Sequence, residues 1–311
     1  MQRIIQSIQR GAQASADACR LFHGRGHCYP GLEFISVDWF APVLLISFYK
    51  EPGTVWLQRF RRELGQLTKT PSIENIILQH RYVSGAPTEQ LKGVIQGDYY
   101  AKEKGLKFLL NFKSNQNVGF FLDMAACRQQ LCAQIAGKKV LNLFSYTCAF
   151  SVVAAAAGAA KVVNIDMAKG AINTGRANHQ INNIDTRAVS FLSHDIFKSW
   201  GKIRKYGPYD MVIIDPPSYQ VGSFNAKKDY QKIVRQLPTL LNPGGQLIAC
   251  LNAPDLDFSF LKDLFKEVDG YSQQQVITPP PSFPERHADK GLKTILFNAR
   301  AALAIQNGTE N

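Results

Sequence analysis

The sequence predicts an α/β protein, a doubly wound and mostly parallel sheet over residues 106–311 preceded by a small α+β domain over residues 1–105. Three observations predict it. From about Phe120 onward, short apolar runs of strand length alternate with helical stretches. Several of those runs end in an acid or a small polar turn. Before Phe120 the alternation is absent, and strands follow one another with few helices between them.

In chain order, residues 1–16 carry Arg3 and Arg10 without an acid, with Ile4, Ile5 and Ile8 on one helical face. That imitates a mitochondrial presequence and also reads as an ordinary amphipathic first helix. Residues 21–38 are rich in turn formers and close on an alternating strand. Val43–Tyr49 is a second strand, stopped by Glu51-Pro52-Gly53. Residues 55–67 read as a helix with Arg59, Arg61 and Arg62 exposed. Residues 73–83 and 106–112 read as strands around a loop holding Gly85, Pro87 and Gly97.

The second part opens with a helix over 122–136, a strand over 140–144 and an Ala-rich helix over 151–157 stopped at Gly158. A strand over 162–165, a helix over 169–182 and a strand over 188–192 follow. The strand 211–214 leads into Asp215-Pro216-Pro217-Ser218-Tyr219. A helix over 228–241 is expected to end at the Asn242-Pro243-Gly244-Gly245 turn, with a strand over 246–251 after it. The last elements are a helix over 261–268 and strands near 274–277 and 294–299.

Composition bounds the function. The net charge is +12 with a pI near 9.4, spread over both halves of the chain, so a polyanionic partner is favoured. No apolar run has the length of a membrane span and no secretory leader is legible. Six scattered cysteines fit reduced thiols in a cytoplasmic protein better than a disulfide framework. Cys19, His23, His27 and Cys28 gather in a metal-like cluster but lack the paired C-x-x-C spacing of common zinc sites, so no metal is expected.

The stretch from Lys138 to Asp166 carries the first chemistry. It is a strand–turn–helix–strand unit with an acid at the tip of its second strand, placed to grip both hydroxyls of a ribose. A dinucleotide site needs glycines in the turn, so that backbone N–H groups can reach a pyrophosphate. The turn Ser145-Tyr146-Thr147 has none, which points to a nucleoside cofactor without phosphate, such as S-adenosylmethionine. Asp195 and Asp215 then fall at the ends of two further strands. In Asp215-Pro216-Pro217 the prolines remove two N–H donors and leave carbonyls beside a carboxylate, an acceptor-rich edge suited to the N–H groups of a base. Tyr219 is placed to stack on that base.

This pattern resembles the Rossmann-like class I SAM-dependent methyltransferases. The stretches N-V-G-F-F-L-D (117–123), V-L-N-L-F-S-Y-T (140–147), D-P-P-S-Y (215–219), N-P-G-G (242–245) and F-P-E (283–285) narrow it. They are similar to the bacterial large-subunit ribosomal RNA methyltransferases that act on cytosine C5 or guanine N7, as is Y-P-G-L-E-F-I-S-V-D (29–38). The resemblance implies S-adenosylmethionine as cofactor and RNA, above all ribosomal RNA, as partner. It implies that Asp166 binds the ribose and Asp195 the adenine amino group. The cofactor set it implies is Phe144, Ser145, Tyr146, Thr147, Asp166, Met167, Asp195, Ile196 and Asp215. The catalytic set is Asp215, Pro216, Pro217 and Tyr219. The PUA domain of the family's cytosine-C5 branch is expected to have no counterpart, since nothing precedes the small first domain in this sequence, which is itself a candidate RNA platform.

Two departures stand out. The small pair that usually follows F-S-Y-T is Cys148-Ala149 here, and a positive φ at that point would strain a residue with a Cβ. The cytosine-C5 branch carries a nucleophilic cysteine where this chain has Asn252, and Cys250 lies about 7 Å back along an extended strand. Cytosine C5 needs a thiolate at C6 before it becomes nucleophilic, so guanine N7 is the favoured acceptor. Two other readings stay open at this level: a methyltransferase of a small molecule or protein, and a silent RNA-binding or assembly module that keeps the fold.

Overall fold

A computed structural model of the chain describes residues 1–67, 70–113, 116–217, 219–220, 224–268 and 270–300, with Tyr219 and Gln220 described in backbone only. The N-terminal part of the chain, the first domain of the sequence reading, holds a five-stranded sheet in the order β1-β2-β3-β4-β5. Its strands are β1 (Cys19–His23), β2 (Ile35–Phe40), β3 (Val43–Phe48), β4 (Asn75–His80) and β5 (Thr88–Lys92). Helices α1 (Gln2–Ala14) and α2 (Thr54–Leu67) accompany it. Ile4, Ile5 and Ile8 of α1 and Phe60 and Leu64 of α2 pack with Val37, Ile46 and Leu78 of the sheet.

The alternation expected up to residue 38 is not what β2 shows. All six of its residues are buried, because the sheet is covered on both faces. Ile35, Val37 and Trp39 meet the helices, while Phe40 joins Val43, Leu45 and Ile77 in a core with Phe108 and the Val152–Val153 pair of the second domain. The N-terminal sheet therefore shares an apolar core with the part of the chain that follows it. Ser36 and Asp38 are the buried polar members of β2; Ser36 Oγ lies 3.3 Å from Tyr49 OH and Asp38 is held by Arg20.

The stretch read as a loop contains two strands, β5 and β6 (Tyr99–Glu103), the latter paired with β7 (Leu106–Leu110) in an antiparallel hairpin. β5 lies at the sheet edge and reads T-E-Q-L-K. Edge strands need no apolar alternation, so nothing in that segment marked it as a strand. Residue 105 lies in the two-residue turn between β6 and β7.

The second domain is a seven-stranded sheet in the order β10-β9-β8-β11-β14-β16-β15. Its parallel part is β8 (Lys139–Leu143), β9 (Lys161–Asp166), β10 (Val189–Ser193), β11 (Tyr209–Ile214) and β14 (Leu241–Leu251). β16 (Lys293–Ala299) and β15 (Tyr271–Val276) add antiparallel partners beyond β14. A two-stranded ribbon, β12 (Tyr219–Gln220) with β13 (Phe224–Asn225), follows the proline pair. Helices α3 (Ala125–Cys132), α4 (Ala149–Ala156), α5 (Lys169–Ile181), α6 (Trp200–Tyr206), α7 (Ala226–Val234) and α8 (Phe258–Lys266) connect the strands.

One element differs usefully from expectation. α7 stops at Val234, and Pro238 sits in a short 3-10 turn after it, because proline cannot continue an α-helix. Asn242-Pro243-Gly244-Gly245 is then the start of β14, at a register shift, and not a turn before the strand. From β8 the chain moves outward to β9 and β10, and returns on the other side through β11. The order thus reverses between β8 and β11, and a ligand crevice is expected beyond their carboxyl ends.

Candidate active site

That crevice exists as a cavity of about 1210 Å³. One wall comes from the strand ends of the second domain, and another from the first domain through Arg20, Arg25, Tyr49 and Arg81. All eleven sequence-predicted site residues whose side chains are described line it: Phe144, Ser145, Tyr146, Thr147, Asp166, Met167, Asp195, Ile196, Asp215, Pro216 and Pro217. The side chain of Tyr219 lies outside the described residues.

The turn after β8 is built without glycine. Phe144, Tyr146 and Cys148 all take positive φ, at 56°, 46° and 61°. Such backbone is costly for residues with a Cβ and persists only where neighbours hold it. Asp166 is the main holder. Its Oδ2 accepts from Tyr146 N at 2.9 Å and its Oδ1 from Ala168 N at 2.8 Å. Thr147 Oγ1 donates to the Gly119 carbonyl at 2.7 Å, and Tyr146 OH to the Asn117 carbonyl at 3.3 Å. The 117–123 stretch thus braces the turn from the side opposite β9.

Cys148 occupies the left-handed position at the N-cap of α4, as the sequence departure foreshadowed. It is fully buried, and its side chain is absent from the cavity lining. Room for it is left by Gly175 on α5, where an added Cβ would stand 2.4 Å from Cys148 Sγ. Burial pushes the Cys148 thiol up to about 12, so it is an inert thiol. Ala149 is the member of the pair that reaches the cavity.

The strand-tip acids differ in setting. Asp195 caps the 3-10 turn that follows β10, accepting from Phe197 N at 2.9 Å, and lies 3.6 Å from Lys198. Met167, 52% exposed, and the buried Ile196 give the cavity apolar surface beside Asp166 and Asp195. Asp215 is strongly perturbed. Burial, and then the charge of Asp123, push it up to about 7, while Arg128 acts in the opposite sense. Asp123 is itself raised by burial, against the pull of Arg20 and Arg128. Arg128 is buried and forked onto Glu103 at 2.6 and 2.7 Å, so a charge pair drawn from both domains sits behind the acids.

These residues fit S-adenosylmethionine. Asp166 spends one hydrogen bond per oxygen on backbone and keeps acceptor capacity for two ribose hydroxyls. Apolar surface for a purine lies beside Asp195, and the turn has no phosphate cradle. The chain's own Asp166, Met167, Asp195 and Ile196 would hold the nucleoside, and the 144–147 turn would face the methionine end.

Sequence reasoning missed Asp123, Arg128 and the first-domain wall. Asp123 lies in the 117–123 stretch, which was read only for its likeness, and no local pattern marks the others. The exposed arginines of α2 are elsewhere. Arg59, Arg61 and Arg62 are exposed on α2, Arg61 is paired with Glu89 at 2.6 Å, and none lines the cavity. The Cys19/His23/His27/Cys28 cluster resolves differently as well. His23 sits between Arg20, 2.7 Å from its Nδ1, and Glu285, 3.2 Å from its Nε2. Glu285 belongs to the F-P-E strap, which docks on the first domain where Gly26 leaves room. A Cβ there would stand 1.8 Å from the Pro284 carbonyl, and Gly26 O accepts from Arg286 N at 2.7 Å.

The geometry agrees with what the chain is similar to. A protein of Aeromonas salmonicida named ribosomal RNA large subunit methyltransferase I is 31% identical over 234 residues, 70% of this chain and 57% of that one. A protein of the same name from Shewanella denitrificans is 30% identical over 287 residues, 84% of this chain and 71% of that one. The chain thus spans little more than half the length of the first of these relatives. A solved structure described as a methyltransferase complexed with S-adenosylhomocysteine superposes with a TM-score of 0.83 at 26% identity, over 96% of this chain and 80% of that one. The family model described as S-adenosylmethionine-dependent methyltransferase matches residues 19–298, and the chain belongs to that family.

Proposed function

We propose that this methyltransferase modifies a base of ribosomal RNA, with a purine ring nitrogen, guanine N7, as the favoured methyl acceptor. The observation that carries the reading is the Asp215-Pro216-Pro217 edge, which shares one cavity with the cofactor turn and with a basic wall from the first domain. The +12 charge and the names of the relatives support an RNA substrate.

When bound, S-adenosylmethionine supplies an electrophilic methyl group. The chain supplies position and desolvation. Asp215 in its charged form accepts from the N1–H and amino group of a guanine, and the adjacent carbonyls have no competing N–H donors at Pro216 and Pro217. N7 carries a free lone pair, so no general base and no thiolate is required. No cysteine side chain among the described residues lines the cavity. Cys250 is 1% exposed, and its thiol is raised by its contact with Cys127 and by burial. Asn252, two residues on, is the residue of β14's end that lines the cavity. Cys148, the departure in the cofactor turn, is accommodated against Gly175 away from the cavity.

The test is modified-nucleoside mapping of ribosomal RNA treated with the enzyme, together with RNA containing 5-fluorocytosine. The expected outcome is a methylated purine and no denaturation-resistant protein–RNA complex. A trapped complex that disappears in Cys250→Ser would return the enzyme to cytosine C5 chemistry.

A further inference from the structure

The first domain's contribution to the cavity contains a charge arrangement that the cofactor and base sites do not use. Tyr49, just beyond β3, carries two guanidinium groups over its ring. Arg25 Cζ lies 4.3 Å from the ring centroid and Arg81 Cζ 5.3 Å. All three residues line the cavity. The acids around them are already engaged. Asp38 holds Arg20 through two bonds of 2.7 and 2.9 Å, and Glu285 faces His23. Glu33 accepts from Gly31 N. Among the described residues, neither Arg25 nor Arg81 has a carboxylate partner.

Arg81 is held in a fixed pose. Its Nη1 donates to the Gln116 carbonyl at 2.8 Å and its Nη2 to Asn117 Oδ1 at 3.2 Å. Its Nε is buried without any hydrogen-bond partner. The terminal nitrogens spend one hydrogen bond each on Gln116 and Asn117, and their remaining N–H groups are the donors left for a ligand in the cavity. Burial, and the positive charge of Arg25 against the opposing effect of Tyr49, also hold the Arg81 pKa below its ordinary value. Two arginines near each other and without acids suit a group that offers several anionic oxygens.

We propose that Arg25 and Arg81, splayed on Tyr49, clamp a backbone phosphate of the substrate RNA next to the nucleotide whose base enters the cavity. The inference rests on the RNA reading above and deepens it. It places an RNA contact on the wall of the active cavity. Asn117 ties the clamp to the cofactor turn. Its Oδ1 accepts from Arg81, its carbonyl accepts from Tyr146 OH, and Tyr146 N donates to Asp166. Phosphate and cofactor subsites are thereby set at a fixed spacing by the 117–123 stretch. A base drawn out of its stack is followed by its own backbone, so a fixed phosphate fixes how far the base reaches.

The test uses the full chain and ribosomal RNA, with salt titrations of binding, S-adenosylhomocysteine calorimetry and methylation kinetics. Among the described residues the Arg25 side chain makes no hydrogen bond, so Arg25→Gln is the clean variant. Arg81→Lys keeps the charge and loses the fork. Arg59→Gln removes an equal charge from α2. Arg25→Gln should weaken RNA binding about five- to tenfold and lower the log–log salt slope by roughly 0.7–0.9, the loss of one phosphate contact. Arg81→Lys should raise KM for RNA several-fold. Both should leave S-adenosylhomocysteine affinity within about twofold, and Arg59→Gln should change RNA binding less than twofold. Wild-type binding matched by Arg25→Gln and Arg81→Lys, or a loss in Arg59→Gln equal to that in Arg25→Gln, overturns the clamp and leaves the RNA reading standing. A wild-type chain that binds S-adenosylhomocysteine but no ribosomal RNA overturns the RNA reading and the clamp with it.

Discussion

Asp215→Asn separates the two things the Asp215 carboxylate does. Burial and Asp123 lift this carboxyl to about 7, well above its ordinary value. For an acid, a raised folded-state pKa means that the folded protein binds the proton more tightly than the unfolded chain does. Stability is therefore greatest below the ordinary carboxylate range and falls as pH rises toward about 7, where the charged form becomes a burden on the fold. At about 1.4 kcal/mol per tenfold, a lift from near 4 to about 7 corresponds to an upper bound of roughly 4 kcal/mol. Asp215 retains some solvent contact at the cavity, so about 1–2 kcal/mol is the expected effect after screening. The amide is neutral at every pH and escapes this penalty. Thermal melts of wild type and Asp215→Asn at pH 5 and pH 8.5 should show a variant that melts several degrees higher at pH 8.5 and a clearly smaller offset at pH 5. The same variant should lose at least tenfold in kcat/KM for RNA, because an amide cannot accept from both N–H groups of the base. The wild-type pH profile should rise through a limb near 7. Equal melting offsets at both pH values, or a variant less stable at pH 8.5, would refute the assignment of a buried, charge-burdened carboxyl.

Asp166→Ala should weaken S-adenosylhomocysteine binding by about 1–3 kcal/mol in calorimetry, since it removes the ribose acceptor and leaves Tyr146 N and Ala168 N without their partner. Gly175→Ala should destabilise the fold by about 1–3 kcal/mol, because the new methyl meets Cys148 Sγ. Cys148→Gly should be tolerated and should rescue Gly175→Ala, a coupling that a double-mutant cycle of unfolding free energies reads directly. Additive losses in that cycle would show that the two positions do not compensate.

The sequence alone determined the parallel sheet, the helices between its strands and the acids at their tips. Those features are local, since a strand, its turn and its terminal acid lie within a few residues, and sheet topology places all carboxyl ends on one side. Cys148 was legible as a strained position for the same reason. What only the tertiary structure decided is everything that depends on two distant segments meeting. The six buried residues of β2 follow from cover on both faces, which no periodicity within β2 reports. β5 and β6 are polar because one lies at an edge and the other in a two-stranded hairpin, so pairing rather than apolar pattern defines them. Asp123 and Arg128 matter through the field they place on Asp215, a through-space effect with no sequence mark. The Gly175 notch for Cys148 and the Arg25–Tyr49–Arg81 wall likewise join residues 27 and 56 positions apart, brought together only when helix, sheet and loop pack.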